Sequence, residues 1–551
     1  LLVYNDPLYD LMVTYNQLDP DMDTLKFCNL LGISREYFEN ALDKNWRSGR
    51  YSKSVPFVFY SKIPAETFAY VQESLYDFPG FYPQLRNVRG YPHHNAAHVL
   101  GYIREVNASE LEEQGDFYSS GDYIGATGLE KTYEQALRGK KGVRYVLRDN
   151  LGREVGTYKD GSLDSLAESG RDLISTIDLD LQRYGEELMK NKKGSIVAIA
   201  PSTGEVLAMI STPTYDPNRL TISQQRAEVY RQLLSDSLKP FFNRAVSAQY
   251  PPGSLFKPVV ALIAMQEEVL NPGRTMKCPG AYYANEMRLT GCHDHPTCYN
   301  VSQAIQYSCN AYFVTVFRDV VDKFGFYNPQ EGLDRFNDYL DDFGIGTTLG
   351  IDFPVEEDGN YPTSDYFDKW YEDQKWNSIW IRSLGIGQGE LLMTNLQMAN
   401  LAAIIANRGF YYPPHLLRGF KDSDYEIADR FRQKRQVAID SSYYEPVVEG
   451  MARVVTAGTA RLANIWDIPV CGKTGTAENP HGEDHSIFFG FAPRDNPQIA
   501  VAVYVENGGW GGSYAAPIAS LMMEQYIRGS ILDSRKWLEQ RMVDADLLEK
   551  P

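Results

Sequence analysis

The sequence has no run near the roughly 20 consecutive apolar residues that span a bilayer. Its most apolar stretches, Pro258–Met265 and Leu396–Ala406, are short or interrupted by polar residues and fit buried helices instead. Basic residues are in deficit: 54 Lys and Arg against 72 Asp and Glu leave a net charge of −18. No cationic excess exists to neutralise phosphates, which argues against nucleic acid as a partner. Cysteine is scarce, with six in 551 residues, so the chain is not a small secreted scaffold stapled by disulfides. Internal repeats and low-complexity tracts are also missing, which excludes a solenoid. The first residue is Leu1 rather than Met, and Leu1–Tyr4 reads as a strand entered midway. A signal or anchor segment upstream is therefore expected.

What is present is an ordinary globular composition, 43% hydrophobic and 23% charged, at a length that implies two or more domains. Residues 1–172 are rich in Tyr, Asn, Asp and Gly. Short alternating stretches (Leu11–Tyr15, Phe57–Tyr60, Val143–Arg148) and helical ones such as Ile63–Ser74 predict a mixed α+β module without a catalytic constellation. From Leu173 the texture changes. Leu173–Ile177 reads as a strand and Asp178–Lys192 as a helix; Gly194–Ala200 and Glu205–Ser211 form a hairpin around Pro201-Ser202-Thr203-Gly204. A second hairpin joins His485–Ala492 to Gln498–Glu506, and 255–465 between them is mostly helical by pattern. Residues 173–551 are thus expected to form a central antiparallel sheet, completed by distant segments and flanked by helices.

Three short signatures fall in this second region. In Ser254-Leu255-Phe256-Lys257, the preceding Pro251-Pro252-Gly253 stops one segment so that a helix can start at the serine. Residues three apart share a helix face, which predicts the Lys257 amine within reach of the Ser254 hydroxyl. A serine needs a base to become a nucleophile, and a buried lysine with a depressed pKa can be that base. The spacing alone carries little, because it recurs by chance. Ser308-Cys309-Asn310 follows a helical stretch, Val301–Tyr307. Ser308 is a candidate proton relay and Asn310 a candidate holder of a substrate amide; plain helix capping is the competing reading. Lys473-Thr474-Gly475-Thr476 reads as an edge strand whose glycine admits a substrate backbone, with a cation and hydroxyls suited to a terminal carboxylate.

Ser-x-x-Lys, Ser-x-Asn and Lys-Thr-Gly in this order form the signature of penicillin-binding proteins and class A β-lactamases. The chain resembles the class B penicillin-binding proteins, most closely those of the cell-elongation machinery. Further shared stretches are Gly194–Ile199 with Gly204–Met209, Gly385–Glu390, Gly490–Pro493, Ala97–Tyr102 and Gly128–Lys131. The resemblance implies a non-catalytic pedestal over 1–172 and a serine β-lactamase-like transpeptidase domain over 173–551. It implies a peptidoglycan D,D-transpeptidase in which Ser254, activated by Lys257, attacks the D-Ala-D-Ala bond of a stem peptide, and a neighbouring stem's amine then takes the acyl group. Backbone N–H groups of Ser254 and Thr476 would form the oxyanion hole, and Lys473, Thr474 and Thr476 would hold the carboxylate. β-Lactams are expected to acylate Ser254. No cofactor is implied for catalysis. The implied partners are a SEDS-family glycosyltransferase and scaffold proteins of the elongation complex, at the periplasmic face of the inner membrane, through an anchor upstream of residue 1. The rival readings are a D,D-carboxypeptidase or β-lactamase, and a β-lactam sensor or non-catalytic scaffold.

Cys278, Cys292, His293, His295, Cys298 and Cys309 crowd one window, and Cys309 is the middle of the second signature. Such a density of thiols and imidazoles suits tetrahedral zinc. Some relatives carry a metal here, and the expected ligands are Cys278, Cys292, His295 and Cys309, with His293 and Cys298 as substitutes. A disulfide such as Cys292–Cys298 and plain reduced thiols remain the alternatives.

Overall fold

A computed structural model describes all residues except 48–50, 120, 150–153, 222–224, 373–374, 422–426, 480–481 and 549–551. The chain divides into two compact units: Leu1–Asp172 with Asp216–Gln232, and Leu173–Tyr215 with Leu233–Pro551. The sequence pattern gave no hint that 216–232, inside the later region, groups with the first unit.

In the first unit, β1 (Tyr4–Val13), β2 (Phe57–Pro64) and β3 (Phe81–Gly90) form an antiparallel sheet in the order β2-β1-β3. Helices Thr24–Leu31, Arg35–Leu42 and Ala65–Gln72 accompany it. Their shared core is aromatic: the Phe27 ring lies 4.4 Å from that of Phe81 and 4.8 Å from that of Phe78. Away from this core, Arg89 pairs with the buried carboxylate of Glu130 at 2.7 Å.

The second unit is built on five antiparallel strands: β4 (Gly194–Ile199), β5 (Val206–Thr212), β6 (Cys471–Ala477), β7 (His485–Ala492) and β8 (Ile499–Val505). Their spatial order is β5-β4-β8-β7-β6, so the two hairpins foreseen from sequence become neighbours through β4 and β8. Every residue of β4, β5 and β8 is buried, so helices must cover both faces. Helix α1 (Leu179–Leu188) packs on β5, the wholly buried α2 (Asn395–Ala406) on β4, β7 and β8, and α3 (Ala515–Arg528) on β7 and β8. α2 is buried all round, mostly through apolar residues but with Asn395, Gln397 and Asn400 among them, and starts at a capping box between Thr394 and Gln397. No helix among the described residues is long and apolar enough to cross a membrane. The expected α+β architecture, with its antiparallel sheet flanked by helices, is what the second unit has.

Candidate active site

The three signatures converge from three different kinds of element. The serine does not open an α-helix, as the sequence had implied. Gly253–Phe256 is a 3₁₀ turn, and the α-helix runs over Lys257–Gln266, with Pro258 in its first turn. The tighter turn follows from Gly253, whose φ of 54° bends the chain sharply ahead of Ser254. The Gly253 N–H donates to Gly387 O at 2.8 Å, and a Cβ placed on Gly253 would lie 2.8 Å from Thr476 O. The Ser254 turn is thereby seated between the Gly385–Glu390 segment and strand β6.

Helix Val301–Gln306 ends before Ser308, which takes a left-handed φ of 54°; Cys309 then caps helix Asn310–Val321, its Sγ accepting from the Tyr312 N–H. The reversal aims Ser308 back at the start of the Lys257 helix. The Lys257 amine donates to Ser308 O at 2.6 Å, Ser308 Oγ at 3.0 Å and Asn310 Oδ1 at 2.6 Å, rather than to Ser254. From the other side Lys473 Nζ donates to the same Ser308 Oγ at 2.9 Å and to Thr474 O at 2.9 Å. Two lysine amines therefore share one hydroxyl. Both lysines are completely buried. Burial lowers the Lys257 pKa to about 8, against a smaller opposing pull from the thiols of Cys292, Cys309 and Cys298. Burial, and then the charge of Lys257, hold Lys473 well below the usual lysine range.

β6 is the outer strand of the sheet, paired with β7 from Cys471↔Phe491 to Ala477↔His485. Thr474 and Thr476 line a cavity of about 1030 Å³ together with Ser254, Ser308 and Asn310. Lys473 and Gly475 point the other way. A Cβ on Gly475 would come within 2.5 Å of Leu255 Cδ1 and 3.0 Å of Pro252 O, so its missing side chain makes room for the Ser254 turn, not for a ligand backbone. Lys473 is likewise fully buried behind the cavity wall, where its amine meets Ser308 Oγ and Thr474 O. The Asn310 amide is engaged at both ends, by Lys257 and by Gly291 O at 2.8 Å. Gly291 closes a small hairpin, Ala281–Ala284 with Met287–Gly291, that the helical reading of this region did not contain.

Sequence reasoning also passed over Thr459. Its Oγ1 lies 2.5 Å from Thr474 Oγ1 on the cavity wall. Gly458 beside it was the only available signal.

One donor atom each from Cys278, Cys292, His295 and Cys309 lies within 4.8 Å of the others. Cys298 and His293 are outside this group, and all six cysteines are unpaired. Cys292 Sγ is 3.6 Å from His295 Nε2 and 4.0 Å from Cys309 Sγ, and it accepts the Asn310 N–H at 3.3 Å. Contact with Cys309, then burial, raises the Cys292 pKa to about 12. A donor set of three thiols and one imidazole fits zinc, which would bind the cysteines as thiolates and His295 as neutral imidazole.

Similarity to known proteins runs along nearly the whole chain. The model of the penicillin binding protein transpeptidase domain matches residues 194–524, and that of the penicillin-binding protein dimerisation domain matches residues 1–174. The chain is 31% identical to the peptidoglycan D,D-transpeptidase MrdA of Haemophilus influenzae, over 96% of this chain and 82% of that protein. Among solved structures, Pseudomonas aeruginosa PBP2 in complex with WCK 5153 matches at 31% identity and a TM-score of 0.67, covering 82% of this chain and 93% of that one. A component of a peptidoglycan synthase complex that coordinates polymerization and crosslinking matches at 28% identity and a TM-score of 0.73, over 96% and 89% of the two chains. With both of the family's domains in order and a shared sequence along nearly its whole length, the chain belongs to the class B penicillin-binding proteins, in the group that contains PBP2 and MrdA.

Proposed function

We propose that this protein is a peptidoglycan D,D-transpeptidase working through an acyl-enzyme on Ser254. The observation that carries the reading is the pair of buried amines, Lys257 and Lys473, meeting on Ser308 Oγ behind a cavity lined by Ser254, Thr474 and Thr476. In the first step Ser254 Oγ bonds to the carbonyl carbon of the penultimate D-alanine and its proton passes to the neutral Lys257 amine. The bond to the terminal D-alanine then breaks. Its nitrogen takes the proton through Ser308, whose hydroxyl touches both lysines. In the second step the amine of a neighbouring stem attacks the ester, loses a proton to Lys257, and returns Ser254 to its hydroxyl form. Backbone N–H groups of Ser254 and Thr476 would stabilise the oxyanion, each worth about 3–4 kcal/mol by general experience. Thr474 and Thr476 would receive the terminal carboxylate. β-Lactams, which present a similar carboxylate and a strained amide, would acylate the same serine.

None of these steps draws on a cofactor. Cys278, Cys292, His295 and Cys309 would hold a zinc ion as a structural cross-link, fixing the turn that carries Ser308 and Asn310. Metal analysis of the purified protein should then find one zinc per chain. We also take residues 1–172 as a non-catalytic pedestal and 173–551 as the catalytic domain. Work in cell-wall elongation at the periplasmic face of the inner membrane, beside a SEDS-family polymerase and scaffold proteins, is supported by the MrdA relatives and by the match to a synthase complex.

The test is incubation with a disaccharide-pentapeptide donor and an amine acceptor. Release of D-alanine together with a cross-linked product, both lost in Ser254→Ala, is expected. Release of D-alanine with hydrolysed donor alone would make the protein a carboxypeptidase.

A further inference from the structure

Thr459 follows a helix, Tyr444–Ala457, in a turn where the N–H groups of Gly458 and Ala460 both donate to Val454 O, at 3.2 and 3.0 Å. The turn is held on two sides. A Cβ on Gly458 would sit 2.7 Å from Gln306 O, and one on Gly512 would sit 2.6 Å from Thr459 O. This packing brings Thr459 Oγ1 to 2.5 Å from Thr474 Oγ1, and both residues line the cavity that contains Ser254. Among the described residues neither hydroxyl has another hydrogen-bond partner.

A hydroxyl has one hydrogen to give and two lone pairs, whereas a carboxylate only accepts. Thr474 can therefore serve a carboxylate only if its hydrogen is not spent on Thr459. The direction of this one bond decides whether Thr474 meets the ligand as a donor or presents lone pairs to a negative charge. Donation from Thr459 to Thr474 solves the conflict and also polarises the next bond in the chain.

Resting on the transpeptidase reading above, we propose that Thr459 is a positioning residue: its hydroxyl donates to Thr474 Oγ1 and so commits the Thr474 hydrogen to the carboxylate of the incoming stem peptide or β-lactam. Lys473 supports the same arrangement from behind, through the Thr474 carbonyl.

The test compares acylation by benzylpenicillin and by its methyl ester, as second-order rates per acylable protein, in the unsubstituted chain, Thr459→Val and Thr459→Ser. With the free acid, Thr459→Val should lose roughly ten-fold, the scale of one cooperative hydrogen bond, and Thr459→Ser should recover to within about two-fold. With the ester, which offers no charge to Thr474, Thr459→Val should lose less than about two-fold. Equal losses on acid and ester would mean that Thr459 only supports the wall, and would overturn the proposal. So would no loss in Thr459→Val or no recovery in Thr459→Ser. If the unsubstituted chain is not acylated at all, the transpeptidase reading fails and takes this inference with it.

Discussion

The two arms that meet at Ser308 are held in place by different means. Lys473–Thr476 is part of a strand, and each residue of β6 has a partner in β7. Ser308–Asn310 lies where one helix ends and the next begins, with left-handed Ser308 at its start and sulfur atoms accepting the N–H groups of Asn310 and Tyr312. The sheet fixes the first arm whatever the state of any one side chain. The second depends on a cluster of thiols and an imidazole, whose geometry follows protonation and metal binding. The same hydroxyl, that of Ser308, is thus reached from one rigid side and one conditional side.

Removing the buried amine that meets the Lys473 arm on Ser308 Oγ should have the largest effect. Lys257→Met removes the base proposed for Ser254, and penicillin acylation should fall by about 10³-fold or more, followed by time-resolved labelling. Titrating that amine is the milder form of the same experiment. Burial lowers its pKa to about 8, and in the proposed mechanism the neutral form is the base. The acylation rate should therefore rise roughly ten-fold per pH unit below that value and level off above it. A flat profile between pH 6 and 9 would assign proton abstraction elsewhere.

The next changes separate the arms. Cys292→Ser breaks the conditional side, removing the acceptor of the Asn310 N–H and one expected zinc ligand. Acylation should drop about 10- to 100-fold, with a lower Tm and less bound zinc. Unchanged acylation would show that the turn needs no clamp. On the rigid side, Gly475→Ala forces a methyl against Leu255 and Pro252 O. It should destabilise the fold by about 1–3 kcal/mol, read from denaturant unfolding. Acylation should fall less than in Cys292→Ser, because the ladder to β7 persists.

Much of this was readable from residue order. The two hairpins, the buried helix over 395–406 and the three signatures follow from periodicity, turn residues and spacing. The four metal-ligand candidates are the same residues whose donor atoms cluster within 4.8 Å. The period of two along a strand could have told more than was taken from it: if Thr474 and Thr476 face a ligand, Lys473 and Gly475 must face the interior. The expectation that Lys473 holds the carboxylate beside Thr474 and Thr476, and that Gly475 admits a substrate backbone, did not take that alternation into account. The 3₁₀ turn at Ser254 depends on packing against Gly387 and Thr476, far away in sequence, which no local pattern encodes. Thr459 was invisible for the same reason, since a threonine after a helix is ordinary until its partner 15 residues on is known. The grouping of 216–232 with the first unit is a matter of topology, and nothing in its composition announces it.

Acylation at Ser254 is the central step of the proposed mechanism. Treatment with benzylpenicillin, followed by intact mass measurement and peptide mapping, reads this directly. One penicilloyl group per chain on the peptide containing Ser254, absent in Ser254→Ala, is the predicted result. An adduct on another residue, or labelling that survives Ser254→Ala, would contradict it.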